Sequence, residues 1–252
     1  MRGIFLRAAL CGLLLGIAVP GTAQERSRAE TAAAANLELG VAYLRQGNLA
    51  VAKEKLEKAL KQNPRDANVH TALALLYEQL GEAARVDSSY RTALRLAPRN
   101  PEIQNNYAVY LCRAGRVKEG LAYFHKAATN PLYRTPEAAH TNAGVCQRSA
   151  KQLDEAEHSF ARALAIRPNY AEAAFQFGDL QLERGRADDA RQFLERYLGA
   201  FEATPDLLLL GARLSRKSCD RAGFERYARR LRMDYPNTVQ AQALTALPPD
   251  GC

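Results

Sequence analysis

Tryptophan is absent from this 252-residue chain and methionine occurs only twice. No stretch alternates apolar and polar side chains as a half-buried strand would, so a sheet-based fold is not expected. No CxxC or HxxH spacing is present to hold zinc, and no glycine-rich phosphate loop, nucleophile elbow or metalloprotease motif occurs. Of the four histidines, His70 and His140 fall at inward packing positions, and His125 and His158 have no partner ligand three or four residues further along the chain. They read as packing or surface residues. These absences imply no metal, no cofactor and no enzyme activity.

What the chain does have is a beat. Gly40, Tyr43, Gly47, Ala52, Leu56, Ala59 and Pro64 recur 34 residues later as Ala74, Tyr77, Gly81, Val86, Tyr90, Ala93 and Pro98. A third set follows as Ala108, Leu111, Gly115, Gly120, Phe124 and Ala127, but Leu132 stands where the closing proline is due, and Pro136 closes that unit late. The rhythm resumes with Gly144, Ala156, Phe160, Ala163 and Pro168, then Gly178, Gly185, Ala190 and Leu194, and more loosely Gly211, Leu214 and Tyr227. A fixed period of this length is the mark of a stacked repeat architecture, and the small residues and terminal proline resemble the tetratricopeptide pattern. Glycine just past one helix and proline beyond the next are helix-stop signals, so each unit reads as helix-turn-helix. The expected fold is all-α: a right-handed tetratricopeptide solenoid of about six units at 33–66, 67–100, 101–136, 137–170, 171–204 and 205–238. An N-terminal segment at 24–32 precedes it and a tail at 239–252 follows.

The first 23 residues read as an export signal. Arg2 and Arg7 precede an apolar run from Ala8 to Val19, and Gly21-Thr22-Ala23 offers a small-x-small cleavage site before Gln24. Cys11 sits near the start of the apolar run and follows Leu10, which does not fit a lipidation site. The mature chain is therefore expected in the periplasm, with no direct membrane insertion after cleavage. Removing those residues takes the net charge of +8 to +6. The remaining excess of arginine, in ARQFLERY, RLSRKS and RYARRLR, is accompanied by no recognised nucleic-acid module and reads as solvated helix surface. No nucleic-acid partner is expected.

In an oxidising compartment the even set Cys112, Cys146, Cys219 and Cys252 favours disulfides over metal. Cys112 and Cys146 fall on neighbouring first helices, where a bond is plausible and a pair of buried free thiols is the alternative. Cys219 with Cys252 is a weaker second pairing. Function is left to the inner face, lined by positions 2, 5, 9, 12 and 13 of each first helix. Unit one places Ala34, Leu37, Val41, Leu44 and Arg45 there, and unit two Asn68, Thr71, Leu75, Glu78 and Gln79. The partner-binding groove is accordingly read as Leu37, Val41, Leu44, Arg45, Thr71, Leu75 and Glu78, suited to an extended or helical peptide. The preceding segment SRAETAAAANL could instead extend the first helix or fold back over that groove. A clamp for C-terminal carboxylates would want Lys and Asn at Leu37 and Val41, and is not expected.

Three stretches, NLELGVAYLRQGNLAVAKEKLEKAL, NNYAVYLCRAGRVKEGLAYFHKAATNPLYRTPEAAHTNAGVC and LLLGARLSRKSCDRAGFERYARRLRMDYPNT, resemble the type IV pilus biogenesis proteins called PilW or PilF. The likeness spans residues 31–238. It implies that the late closure NPLYRTP is an inherited two-residue insertion and that Cys112 and Cys146 are its associated disulfide pair. It also implies a monomeric, non-enzymatic pilotin that binds secretin subunits and promotes their assembly, associated with the outer membrane as family members are. A generic periplasmic adaptor for another envelope or polysaccharide-export complex is the alternative reading.

Overall fold

The computed structural model describes residues 20–246, and among these every regular element is a helix. The chain divides into two compact units, one up to Leu96 and one from Ala97 onward. Of the expected export signal only the last four residues are described, as the opening backbone of the first helix.

The first unit holds α1 (Pro20–Arg45), α2 (Leu49–Gln62), α3 (Ala67–Gln79) and α4 (Ala83–Leu96). The segment 24–32 does not fold back, because it continues α1 as helix with mostly exposed side chains. Each hairpin is closed by the same local device. Gly47 takes φ 74° and Gly81 φ 73°, in the left-handed region that a Cβ disfavours. That conformation lets Asn48 N donate to Tyr43 O and Glu82 N to Tyr77 O, satisfying carbonyls at the helix end. Asn48 and Asp66 cap the next helices by accepting from Val51 N and Asn68 N. The small residue at Gly40 serves a different purpose: a Cβ there would lie 2.6 Å from Leu56, so its absence lets α2 come close. Leu56, Ala52 and Ala59 are fully buried as a result.

The second unit holds α5 (Pro101–Arg113), α6 (Val117–Ala128), α7 (Pro136–Ser149), α8 (Leu153–Ile166), α9 (Ala171–Glu183), α10 (Ala187–Ala200), α11 (Pro205–Lys217), α12 (Arg221–Asp234) and α13 (Val239–Ala246). Gly144 on α7 admits the buried Phe160 ring as Gly40 admits Leu56, since a Cβ at Gly144 would stand 2.5 Å from it. Two hairpin turns lack glycine. Lys151 (φ 62°) and Cys219 (φ 57°) occupy the left-handed position, and the hydrogen bonds from Gln152 N to Gln147 O and from Asp220 N to Ser215 O reproduce the turn regardless.

The late closure of the third repeat is an ordered loop, 129–135. Asn130 organises it: its Nδ2 donates to Arg99 O at 2.8 Å, while its Oδ1 accepts from Leu132 N and its own carbonyl from Tyr133 N. The loop thereby turns Leu132 outward, 81% exposed, and Tyr133 inward against Phe124 and Ala139. Past Thr238, where the repeat pattern ends and a tail was expected, α13 buries Leu244 against the last hairpin, and Gln240 reaches Asp206 at 2.6 Å.

Candidate partner-binding face

In the first unit, the face formed by α1 and α3 separates the expected groove residues into two groups. Ala34 and Arg45 are exposed, and Leu37, Val41, Leu75 and Glu78 are half-buried, so their apolar or polar tips reach solvent. Leu44 is 5% exposed and Thr71 9%, and both belong to the core. The physical reason is the neighbouring helix. Leu44 lies in the last turn of α1, with α2 and α3 both packed against that helix, and Thr71 turns its hydroxyl back to Ala67 O at 2.8 Å. Of the seven residues expected to line a groove, five therefore reach solvent. Asn68 and Gln79, exposed on α3, flank what remains.

The second unit dresses the equivalent face differently. Asn142 Nδ2 donates to Asn105 Oδ1 at 3.1 Å between α7 and α5. Beside that bond a cleft of about 360 Å³ is lined by Val109, Phe124 and Val145 and floored by Cys112 and Cys146. The two sulfurs lie at bonding distance, with the Cα atoms 5.7 Å apart. Gly120 makes room for this pairing, since a Cβ on it would come within 2.5 Å of Cys112 Sγ. Cys219 lies in the α11–α12 turn, and its expected partner Cys252 is outside the described residues.

Further along, charge replaces apolar surface. Arg148 on α7 donates to Asp179 at 2.8 Å and to Glu183 at 2.6 Å, both on α9, and Arg213 on α11 donates to the other oxygen of Asp179 at 2.6 Å. Asp179 keeps only 13% of its side chain exposed. Burial works against the Arg148 charge, but its hydrogen bonds to Asp179 and Glu183 more than offset that, so its pKa is raised further. No sequence motif announces this ladder; its one signal is that Asp179 and Arg213 stand one period apart, at equal repeat positions.

The structure also brings histidines together that sequence spacing kept apart. His140 on α7 is half-buried, and burial, with Arg162, His125 and His158 nearby, pushes its imidazole below the usual value. His70, at the matching repeat position in the first unit, instead has Nε2 2.9 Å from Pro64 O.

Comparison with known proteins follows the same architecture. Tetratricopeptide repeat family models match residues 37–85, 88–139 and 147–214. The type IV pilus assembly protein PilF of Pseudomonas aeruginosa is 30% identical over 212 residues, covering 84% of each chain. A solved structure of PilW, described as a widely conserved type IV pilus biogenesis factor, superposes with a TM-score of 0.68 at 28% identity, over 84% of this chain and 98% of that one. The structure of Pseudomonas aeruginosa PilF gives a TM-score of 0.66 at 29% identity, over 88% and 98%. With the repeat hairpins, the pattern of close-packed glycines and these likenesses in agreement, the chain belongs to the tetratricopeptide-repeat PilF/PilW family of type IV pilus biogenesis proteins.

Proposed function

We propose that this protein is a non-enzymatic periplasmic scaffold that binds outer-membrane secretin subunits and promotes their assembly during type IV pilus biogenesis. The observation that carries the reading is the half-open apolar stripe of the first unit. Leu37 and Val41 on α1 and Leu75 on α3 remain partly solvated, whereas the periodic Ala52, Leu56, Ala59, Val86, Tyr90 and Ala93 of the same unit are sealed. Such a stripe, edged by Arg45, Asn68 and Gln79, suits an amphipathic helix or an extended strand of a protein client. In this reading the Cys112–Cys146 bond forms after export and holds α5 against α7, and the chain acts as a monomer.

The test is binding of the mature chain, residues 24–252, to the purified periplasmic region of the secretin. Replacing Leu37 and Val41 together by Glu should weaken binding at least about tenfold while leaving helical content intact. Leu44→Glu is the contrasting variant. It buries a carboxylate in the core and should cost the first unit more than about 3 kcal/mol, reporting on fold rather than on binding. Failure of the wild-type chain to bind secretin would overturn the proposal.

A further inference from the structure

The second unit has a cleft on the side of α9 opposite its ion-pair face. Phe177 and Gln181 lie two residues from Asp179 in either direction, about 200° around a helix of 3.6 residues per turn, so they face away from the ladder. They floor a trough of about 490 Å³ between α8 and α10, walled by Leu164 on one side and Phe193 on the other. A second hollow of about 260 Å³ continues it past Leu164 and Phe193 to Pro168, Tyr197 and Phe201. Aromatic rings run its length, with centroids 4.8 Å apart for Phe177 and Phe193, 6.2 Å for Phe193 and Tyr197, and 5.0 Å for Tyr197 and Phe201. Four of the eight phenylalanines of the chain, Phe175, Phe177, Phe193 and Phe201, fall in this short stretch. Phe177, Phe193 and Phe201 stay only half-buried.

The charges along the trough differ in whether they already hold a partner. Glu157, at one edge, is already held by Arg184 at 2.7 Å and Arg186 at 3.2 Å. On α10, Arg191 is paired with Asp188 and Glu195. Asp189 and Arg196 line the trough and make no ion pair among the described residues. They stand seven positions apart on one face of α10, about 10 Å along its axis, with Phe193 between them.

We propose that this trough is a second docking site, for a protein segment that lays an apolar side chain over Phe193, sets an acidic residue against Arg196 and sets a basic residue against Asp189. Charge complementarity selects this occupant. A wholly acidic segment would oppose Asp189 and a wholly basic one Arg196, so the site favours a segment of mixed charge and fixes its direction. The trough follows the helix axis across two joined hollows, which matches a length of chain better than a compact molecule. Aromatic residues and arginine are also the side chains that dominate affinity at protein interfaces. The site is separate from the stripe around Leu37 and independent of what binds there.

The probes are three fluorescein-labelled helical peptides of alanine-rich sequence with a central leucine, carrying at positions seven apart Lys and Glu, Glu and Glu, or Lys and Lys. Fluorescence anisotropy with the mature chain should rank the mixed peptide first, by about tenfold over either uniform one. Arg196→Glu should move the preference to the Lys and Lys peptide, and Asp189→Lys to the Glu and Glu peptide. Both positions are exposed, and circular dichroism confirms that the variants remain folded. The same rank order in all three proteins, or no binding of the mixed peptide to the wild type, would overturn the proposal. The Leu37 and Val41 double variant should bind these peptides as the wild type does, which separates this site from the secretin reading.

Discussion

The first-helix faces of the two units use one helical register for opposite purposes. On α1 and α3 it carries Leu37, Val41 and Leu75, which are partly wetted. On α7, α9 and α11 it carries Arg148, Asp179 and Arg213, which hold one another. A face already satisfied by its own ion pairs has little to offer a client, whereas an apolar face left half-open gains from being covered. Position in the repeat therefore marks where a binding surface can be, and the chemistry placed there decides whether it is one.

The largest test of this contrast removes the covalent tie. Cys112→Ser should destabilise the second unit by about 3–4 kcal/mol in oxidising buffer, the chain-entropy value for a loop of this length, and should have no further effect in reductant. Hydrogen exchange read segment by segment should rise across α5 to α8 and stay unchanged across α1 to α4. Equal melting of wild type and variant in oxidising buffer would remove the bond from the account.

The ladder is the next test. Asp179→Ala leaves Arg148 and Arg213 without their shared acceptor, and should cost about 1–2 kcal/mol. That is less than a fully buried pair would lose, because Arg213 is 39% exposed and stays hydrated. Leu37→Ala in the first unit, where a half-wetted side chain gives up only part of its transfer energy, should cost about 1 kcal/mol or less. If thermal unfolding put Leu37→Ala above Asp179→Ala, the first face would be structural and the second would be the better candidate for binding.

The repeat was legible in the sequence where a residue acts through its own backbone or its own volume. Gly47 and Gly81 are required by the left-handed turn, and Gly40 and Gly144 by an approaching side chain, so their spacing exposes the hairpins directly. Leu44 and Val41 look alike to any pattern of helical spacing, and only the packing of the neighbouring helices separates the buried one from the open one. The Arg148 ladder and the trough on α10 were hidden for a related reason. Each depends on side chains from two or three helices meeting, and the repeat consensus is silent about the variable positions that do so. Likewise Asn130 carries the loop 129–135 by hydrogen bonds to Arg99 O and Leu132 N that no local motif announces.

Lys151 offers a smaller, stabilising test within the second unit. It adopts φ 62° with four-fifths of its side chain in solvent, and its ion pair to Glu183, at 3.9 Å, is weak. Lys151→Gly removes the Cβ strain of a left-handed residue, worth about 1–2 kcal/mol, at some cost in unfolded-chain entropy. A net gain of about 0.5–1 kcal/mol is expected, measurable as a rise in denaturant midpoint with an unchanged slope. Gly81, which already has the favoured residue at the matching turn of the first unit, should show the reverse on Gly81→Lys. A loss on Lys151→Gly would mean that the lysine side chain contributes more than its geometry implies.

The smallest effect expected concerns pH, and it again divides the units. His140 is half-buried beside Arg162, His125 and His158, and burial, then those neighbours, hold its pKa below the ordinary value of 6.5. The folded protein therefore resists a proton that the unfolded chain accepts. Stability from this residue is complete above pH 6.5, declines as pH falls below it, and stops declining once the folded-state pKa is passed. Melting temperature followed from pH 7.5 to pH 5, before most carboxylates titrate, should fall in the second unit with this profile. His140→Phe should flatten the profile by removing the proton-binding group while keeping an aromatic ring at the site. An unchanged profile in that variant would place the acid sensitivity at another group of the second unit.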